Sequence, residues 1–294
     1  MNKLIRYVAI IFCFCQSTQA TVLPENHSVN GGLTIIPVDI KKEPEAFFQG
    51  KRLPVLPSIN SNQWLLIVAI PLANTDTIQN IEVKTPYKAI VPFQVSEQFY
   101  RTQSLNIKDI SKVDPHPEDK ERIEQETEKL SRLFAHYSHN NPFKKRFAAP
   151  IHGPISSLFG LKRVYNHQPR APHSGLDIAA PQGKPIKAAS DGIVADTGNY
   201  FYTGNTVIID HGMGVFSLYA HMSKIMVHAG ESVHRGQELG LVGMTGRVTG
   251  PHLHWTMVVN QTLVDPLLFV PRRIITQKPA APEKKPSEDK AKQS

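Results

Sequence analysis

Hydrophobic and polar positions fall into three successive rhythms along the chain. From Val22 to about Lys108, short apolar runs rich in β-branched residues alternate with turn signals. Leu33-Thr-Ile-Ile-Pro-Val-Asp39, Trp64-Leu-Leu-Ile-Val-Ala-Ile70 and Ile90-Val-Pro-Phe-Gln-Val95 suit strands. Gly31-Gly32, Asn60-Ser-Asn62 and Asn74-Thr-Asp76 suit the turns between such strands. The pattern predicts a small β-sandwich-like domain over 21–110. The period then changes. Pro115-His-Pro117-Glu-Asp119 reads as a helix start, with acidic residues in the first turn. Ile123, Leu130, Leu133, Phe134 and Tyr137 recur near helical spacing as one apolar stripe. This predicts a helical linker, 111–146, packed on one of the domains.

From about Phe147 to Pro271 the rhythm is β again. Gly192-Ile-Val-Ala-Asp196, Thr206-Val-Ile-Ile-Asp210 and Gly214-Val-Phe-Ser-Leu-Tyr219 are short strands punctuated by Gly, Asn and Asp. Asp210-His-Gly-Met-Gly214 fits a hairpin turn. Val233 to Gly243 reads as another strand–turn–strand unit. The prediction for 147–272 is a compact antiparallel β barrel or sandwich. The fold class is therefore mainly β. In the tail, 273–294, Pro, Lys, Glu and Ser dominate, which predicts disorder.

The first residues change the picture of where the chain works. Lys3 and Arg6 precede an apolar run, Val8 to Cys15, much shorter than the ~20 residues of a membrane span. Thr18-Gln-Ala20 then places small residues before a cut. Residues 1–20 read as a signal peptide, so the expected location is periplasmic or secreted. Both cysteines, Cys13 and Cys15, lie inside that segment, leaving no disulfides and no thiolate ligands beyond it. No later stretch is apolar enough to span a bilayer. The formal charge of +8 favours anionic surroundings such as cell-wall polymers or membrane surfaces. Nucleic acid is not the expected partner: the chain has an export signal, no zinc-finger pattern and no long Lys/Arg cluster in its folded part.

The candidate chemistry lies in the third region. His173-Ser-Gly-Leu-Asp177, Tyr219-Ala-His221 and Gly250-Pro-His252-Leu-His254-Trp255 bring histidines and a carboxylate from separate segments. Two imidazoles and one carboxylate on a zinc ion leave one tetrahedral position open, which marks a catalytic rather than a structural site. On a strand, His252 and His254 point to the same face. His173 and Asp177 are expected on a loop entering a strand, because Gly175 and Pro181 argue against a helix.

These motifs, in this order, resemble the lysostaphin/LytM-type zinc endopeptidases. The resemblance covers roughly Phe147 to Pro266. It includes Pro154-Ile-Ser-Ser-Leu-Phe-Gly160, Ala180-Pro-Gln-Gly183, Ala189-Ser-Asp-Gly192 and Gly243-Met-Thr-Gly246. The preceding region resembles the N-terminal domain of some Gram-negative members. The resemblance implies one zinc ion on His173, Asp177 and His254. It implies His221 and His252 as catalytic histidines, sharing the roles of general base and oxyanion stabiliser. It also implies peptidoglycan as substrate, cut at its peptide crosslinks. One departure is visible: many members carry an acidic residue soon after the second histidine pair, whereas Thr256 follows Trp255 here.

Tyr165 and Arg170, in the loop before the first ligand, and Asn199, on a loop with Tyr200 and Tyr202, are candidate substrate contacts. His152 and His167 are near enough in sequence to line a groove. His211, His228 and His234 are expected to be solvent-exposed, and Asn205 and Arg247 to shape turns rather than touch substrate. The N-terminal domain, which carries no chemistry, is expected to hold the cleft covered (autoinhibition) or to position the enzyme on its wall. Two rival functions have their own sequence requirements. A non-catalytic wall-binding activator of amidases would have lost ligands, and this chain keeps them all. A lipoyl- or biotinyl-type carrier needs a lysine on a hairpin tip, and Met244-Thr-Gly-Arg247 offers none.

Overall fold

The computed structural model describes residues 22–60 and 62–271. The expected signal segment, 1–20, and the tail, 273–294, lie outside these residues. Among the described residues, no helix is long and apolar enough to cross a membrane.

The N-terminal region is a sandwich, as its alternation predicts. Leu33–Asp39, Gln63–Ala69 and Val55–Pro57 form a three-stranded sheet, with Gln63–Ala69 in the centre. Lys51–Arg52, Glu45–Phe48, Ile78–Thr85 and Ala89–Gln94 form a four-stranded sheet. In Ile78–Thr85 exposed and buried positions alternate, and the inward ones, Ile81 and Val83, meet Phe48, Leu66, Val68 and Phe93 between the sheets. The central strand is buried on both sides. Ile67 and Ala69 belong instead to the core of the C-terminal domain, together with Leu33 and Leu56. Asn260 Oδ1 accepts from the Ala69 N–H at 3.1 Å, and Lys51 Nζ donates to the Gln261 carbonyl at 3.1 Å.

The linker is less helical than its pattern suggests. The helix spans Pro117–Phe134, and among the described residues the only other helical turn touching the expected linker 111–146 is the 3₁₀ turn Ile110–Lys112 at its start. Proline at its first position and Glu118 and Asp119 in its first turn satisfy the N-terminal dipole. Leu130, Leu133 and Phe134 pack on the outer face of the C-terminal sheet, against Ile208, Phe216, Leu218, Ala220 and Val258. Tyr137 lies beyond the helix end and packs against the main core.

The C-terminal domain is built on a ten-stranded sheet that remains open rather than closing as a barrel. Its main path runs Ser232–Val233, Gly192–Tyr200, Gly204–Gly212, Val215–Ile225, His252–Val259, Leu176–Ala179, Ile155–Ser157, with antiparallel pairing throughout. Trp255, Met257, Val259 and Leu253 lie in the core with Tyr219 and Leu176. The hairpin Lys162–Tyr165/Gln168–Arg170 turns through Asn166 and His167, both at positive φ (47° and 66°). Thr102–Leu105 pairs in parallel with this hairpin's first strand. The end of the N-terminal region thus belongs structurally to the C-terminal domain.

Candidate metal centre and active site

Sheet register brings the candidate ligands together. Asp177 lies directly opposite His254 on the neighbouring antiparallel strand, so both side chains share one face. His173 arrives from the loop before Asp177. Gly175 lets that loop lie flat on the next strand: a Cβ there would sit 2.5 Å from the Trp255 carbonyl and 2.7 Å from Thr256 Oγ1. Ligand atoms of His173, Asp177 and His254 all fall within 4.8 Å of one another, and all three residues are buried. Asp177 Oδ1 is 3.0 Å from His173 Nε2 and 2.8 Å from His254 Nδ1. The three can hold one metal ion.

The surrounding hydrogen bonds fix which atom each ligand presents. A carbonyl only accepts, so His173 Nδ1, 2.7 Å from the Leu158 carbonyl, carries the proton and leaves Nε2 free for a metal. His254 presents Nδ1 to the cluster, and its Nε2 lies 3.0 Å from Thr256 Oγ1. The hydroxyl of Thr256 thus stands where a carboxylate was missed in the sequence. Asp177 Oδ2 is 3.4 Å from Nη2 of buried Arg163. Arg163 is held in turn by Ser157 Oγ at 3.0 Å and by Gln103. Burial alone would raise the Asp177 pKa, but His173 and His254, when protonated on the nitrogens that face it, donate to the carboxylate and hold it well below the usual range.

The other two histidines flank this cluster. His252 shares the face of His254, two residues along the strand, and its Nε2 is 3.7 Å from Asp177 Oδ1. Its Nδ1 donates to the Gly250 carbonyl at 2.8 Å. His221, near the end of Val215–Ile225, has φ 63°, a strained conformation for a residue with a side chain. Its Nδ1 donates to the Thr245 carbonyl at 2.8 Å. Both therefore present Nε2 as a lone pair. Their ring centroids are 4.9 Å apart. Burial, and then the neighbouring His254 and His252, push His221 down to about 3, so it stays neutral at ordinary pH.

A cavity of about 640 Å³ opens over this face. Its floor includes His173, Asp177, His221, His252 and His254. Residues 72–75 and 97–100 of the N-terminal region line it from above. Of the weaker candidates, Tyr165 lines the cavity, whereas Arg170 and Asn199 do not. Arg170 turns to Asp114 and Gln168. Asn199 faces the helix, where its carbonyl and Oδ1 accept from Arg122 Nη2 at 2.7 and 3.2 Å. Tyr202 walls the cleft, but Tyr200 is buried against Asp196. His167 is spent on the hairpin turn and His152 is exposed, and neither lines the cavity.

Two expectations are corrected. His211 is buried, not solvent-exposed: Nδ1 donates to the Asp191 carbonyl and Nε2 accepts from Ser217 Oγ, both at 2.7 Å. Arg247 does more than shape a turn, because its side chain lines the cavity beside Tyr165 and Tyr202. His228 and His234 are exposed as expected.

Residues 171–266 match peptidase family M23, and residues 26–98 match the peptidase family M23 N-terminal domain. The fold is similar to that of a peptidase M23 from Pseudomonas aeruginosa, with a TM-score of 0.70 and 36% identity, over 83% of this chain and 95% of that one. Peptidoglycan DD-endopeptidase ShyA of Vibrio cholerae is 49% identical over 107 residues, 36% of this chain and 25% of that protein. DD-carboxypeptidase/endopeptidase Mpg of Neisseria meningitidis is 40% identical over 128 residues, 43% of this chain and 30% of that protein. The chain thus spans a quarter to a third of the length of these two curated relatives. With both segments matched in order, and a neighbour 36% identical sharing the arrangement over 83% of this chain, the chain belongs to peptidase family M23, a family of metallopeptidases.

Proposed function

We propose that the protein is an exported, zinc-dependent endopeptidase that hydrolyses peptide crosslinks of bacterial peptidoglycan. The observation that carries this reading is the buried His173–Asp177–His254 cluster flanked by two histidines whose Nε2 lone pairs are free. The names of the Vibrio and Neisseria relatives support the substrate class. The donor set fits zinc: two imidazoles in fixed tautomers and one carboxylate, the combination found in catalytic rather than structural sites.

Zinc bound there would supply Lewis-acid chemistry, acidifying water and polarising a carbonyl. The protein's own groups do the rest. Asp177, kept ionised by its histidine partners, offsets the charge of the cation. Arg163 fixes the second oxygen of Asp177, so that Oδ1 faces the histidines. His221 and His252 divide the proton work. One takes a proton from the attacking water and, as the imidazolium, delivers that same proton to the leaving amine; the other stabilises the tetrahedral oxyanion when it carries a proton on Nε2.

The N-terminal domain is proposed to gate the cleft, because residues 97–100 lie over the same cavity as the catalytic histidines. A chain starting at Arg101 removes residues 97–100, keeps Thr102–Leu105 and should cut soluble crosslinked fragments faster than the longer form. Equal rates would remove the gate.

The primary test is incubation of the purified protein with sacculi, with and without chelator, followed by mass spectrometry of the released fragments. Metal-dependent release of uncrosslinked peptides is expected. A folded, zinc-loaded protein that releases nothing from sacculi or from soluble dimers would refute the enzyme reading.

A further inference from the structure

The cavity contains a guanidinium for which the hydrolytic chemistry above has no use. The carbon of the Arg247 guanidinium lies 4.8 Å from the ring centroid of Tyr165 and 4.3 Å from that of Tyr202. Its backbone N–H donates to the Tyr202 carbonyl at 2.8 Å, which locks the turn. One side-chain hydrogen bond is made, from Nη1 to the Lys112 carbonyl at 3.3 Å. Among the described residues Arg247 has no ion pair, and most of its N–H donors are left over.

Arg163, the other guanidinium of the cavity, points both terminal nitrogens at Asp177, Ser157 and Gln103, and only its buried Nε lacks a partner. The remaining charged lining residues are Lys162, Glu97 and Asp177, and Asp177 is committed to the metal cluster. The cleft therefore carries an excess of positive charge. Burial lowers the pKa of Arg247, which reports incomplete solvation, yet an arginine stays charged at any ordinary pH. Two aromatic rings hold the group in place, so little side-chain entropy would be lost when a ligand binds. A planar cation pre-set in this way matches a carboxylate better than it matches a neutral amide.

We propose that Arg247 binds a substrate carboxylate carried on the carbon next to the scissile amide nitrogen, and so selects crosslinks that have one. A direct crosslink through the side-chain amine of a diamino diacid such as diaminopimelate has that carboxylate. A lysine-type or glycine-bridge crosslink has none at that position. This assignment rests on the endopeptidase reading and deepens it, from a class of polymer to a class of crosslink.

The test uses the zinc-loaded protein and two soluble crosslinked peptide dimers that differ only in whether this carboxylate is free or amidated. Wild type is expected to prefer the free form in kcat/KM by roughly 10- to 100-fold, the range of a charge-assisted pair. Arg247→Gln should reduce cleavage of the free form to the amidated level, mainly through KM, with zinc content unchanged. Arg247→Lys, which keeps the charge but not the fork, should fall between them. It also carries the comparison should the glutamine variant not fold. An equal loss on both dimers would mean a structural role and overturn the proposal, as would a wild type that does not discriminate. A wild type that cuts neither dimer would overturn the endopeptidase reading itself, and the proposal with it.

Discussion

Thr256→Val is the sharpest test of how the metal ligands are supported. The substitution replaces a hydroxyl by a methyl group of nearly the same shape and keeps the β-branched side chain that suits a strand. It removes the partner of His254 Nε2, at 3.0 Å, inside a buried site. An imidazole bound to metal through Nδ1 must carry its proton on Nε2, and that N–H would then be left unpaired. An unsatisfied buried donor costs about 1–3 kcal/mol. At 1.4 kcal/mol per factor of ten, zinc should bind roughly 5- to 100-fold more weakly. Loss of an outer partner of a metal-bound histidine typically costs 10–100-fold in affinity, so two independent routes agree. The assay is a zinc titration against a competing chelator for wild type, Thr256→Val and Thr256→Ser. The serine variant keeps the hydroxyl and should stay within about threefold of wild type. Ser174 Oγ is 3.4 Å from the same nitrogen and is the one group placed to take over. The double variant Ser174→Ala/Thr256→Val therefore sets the full effect. If that double variant binds zinc as tightly as wild type, the hydroxyl does not replace the missing carboxylate and the argument fails.

The remaining expectations test other parts of the molecule. Asp177→Ala and His254→Ala should lose zinc and activity together. His221→Ala and His252→Ala should keep zinc by metal analysis but lose turnover by roughly 100-fold or more. Full zinc occupancy in the first pair would break the ligand assignment, and undiminished turnover in either of the second pair would break the mechanism. Burial pushes the pKa of His211 down to about 4 from 6.5, so below pH 6.5 the unfolded chain takes up a proton that the folded one refuses. That stabilising contribution is whole above pH 6.5 and falls as pH drops toward 4, by about 3 kcal/mol in total. Urea unfolding of chelated wild type and His211→Asn at pH 4.5, 5.5 and 7 should show the flatter profile in the variant. Phe134→Ala should destabilise the protein by about 2 kcal/mol, less than a fully buried phenylalanine, because this ring packs edge-on against Phe216 at 5.4 Å with one side open. A change under about 0.5 kcal/mol would mean that the helix does not stabilise the sheet.

Much of the site was legible because its spacing obeys the period of a strand. His252 and His254 share a face for that reason, and by the same rule Thr256 shares it too. In the sequence, however, a threonine carries no acid to mark it as the partner of a ligand. Arg163 and Tyr165 alternate inward on their short strand, which was likewise readable. Their partners were not. Gln103, which holds Arg163, is sixty residues away in sequence and arrives by parallel pairing that no local pattern announces. Arg247 looked like a turn residue because Gly246 and Thr249 surround it with turn chemistry. Its place between Tyr165 and Tyr202 depends on three segments converging. His211 misled in the opposite direction. A histidine in a Gly-rich turn is ordinarily wet, but here Asp191 and Ser217 satisfy both ring nitrogens and allow it to be buried.

The supports of the metal cluster also explain why its domain cannot be divided where composition changes. A boundary near Phe147 separates Gln103 from Arg163 and removes the helix that covers Phe216 and Leu218. Arg163 fixes Asp177, the Leu158 carbonyl fixes His173, and Thr256 fixes His254. Each ligand is thus oriented by a different part of the chain, and the set is complete only when the sheet is in register. Metal affinity and folding must then be coupled. A cation that binds only the folded form stabilises it by RT ln(1 + [L]/Kd), so any loosening of Gln103, Leu158 or Thr256 appears twice, once as weaker metal binding and once as lower stability. The Asn260 and Lys51 contacts extend this linkage to the N-terminal sandwich. The strand Thr102–Leu105 belongs with the sheet that it completes, and the functional unit begins before it.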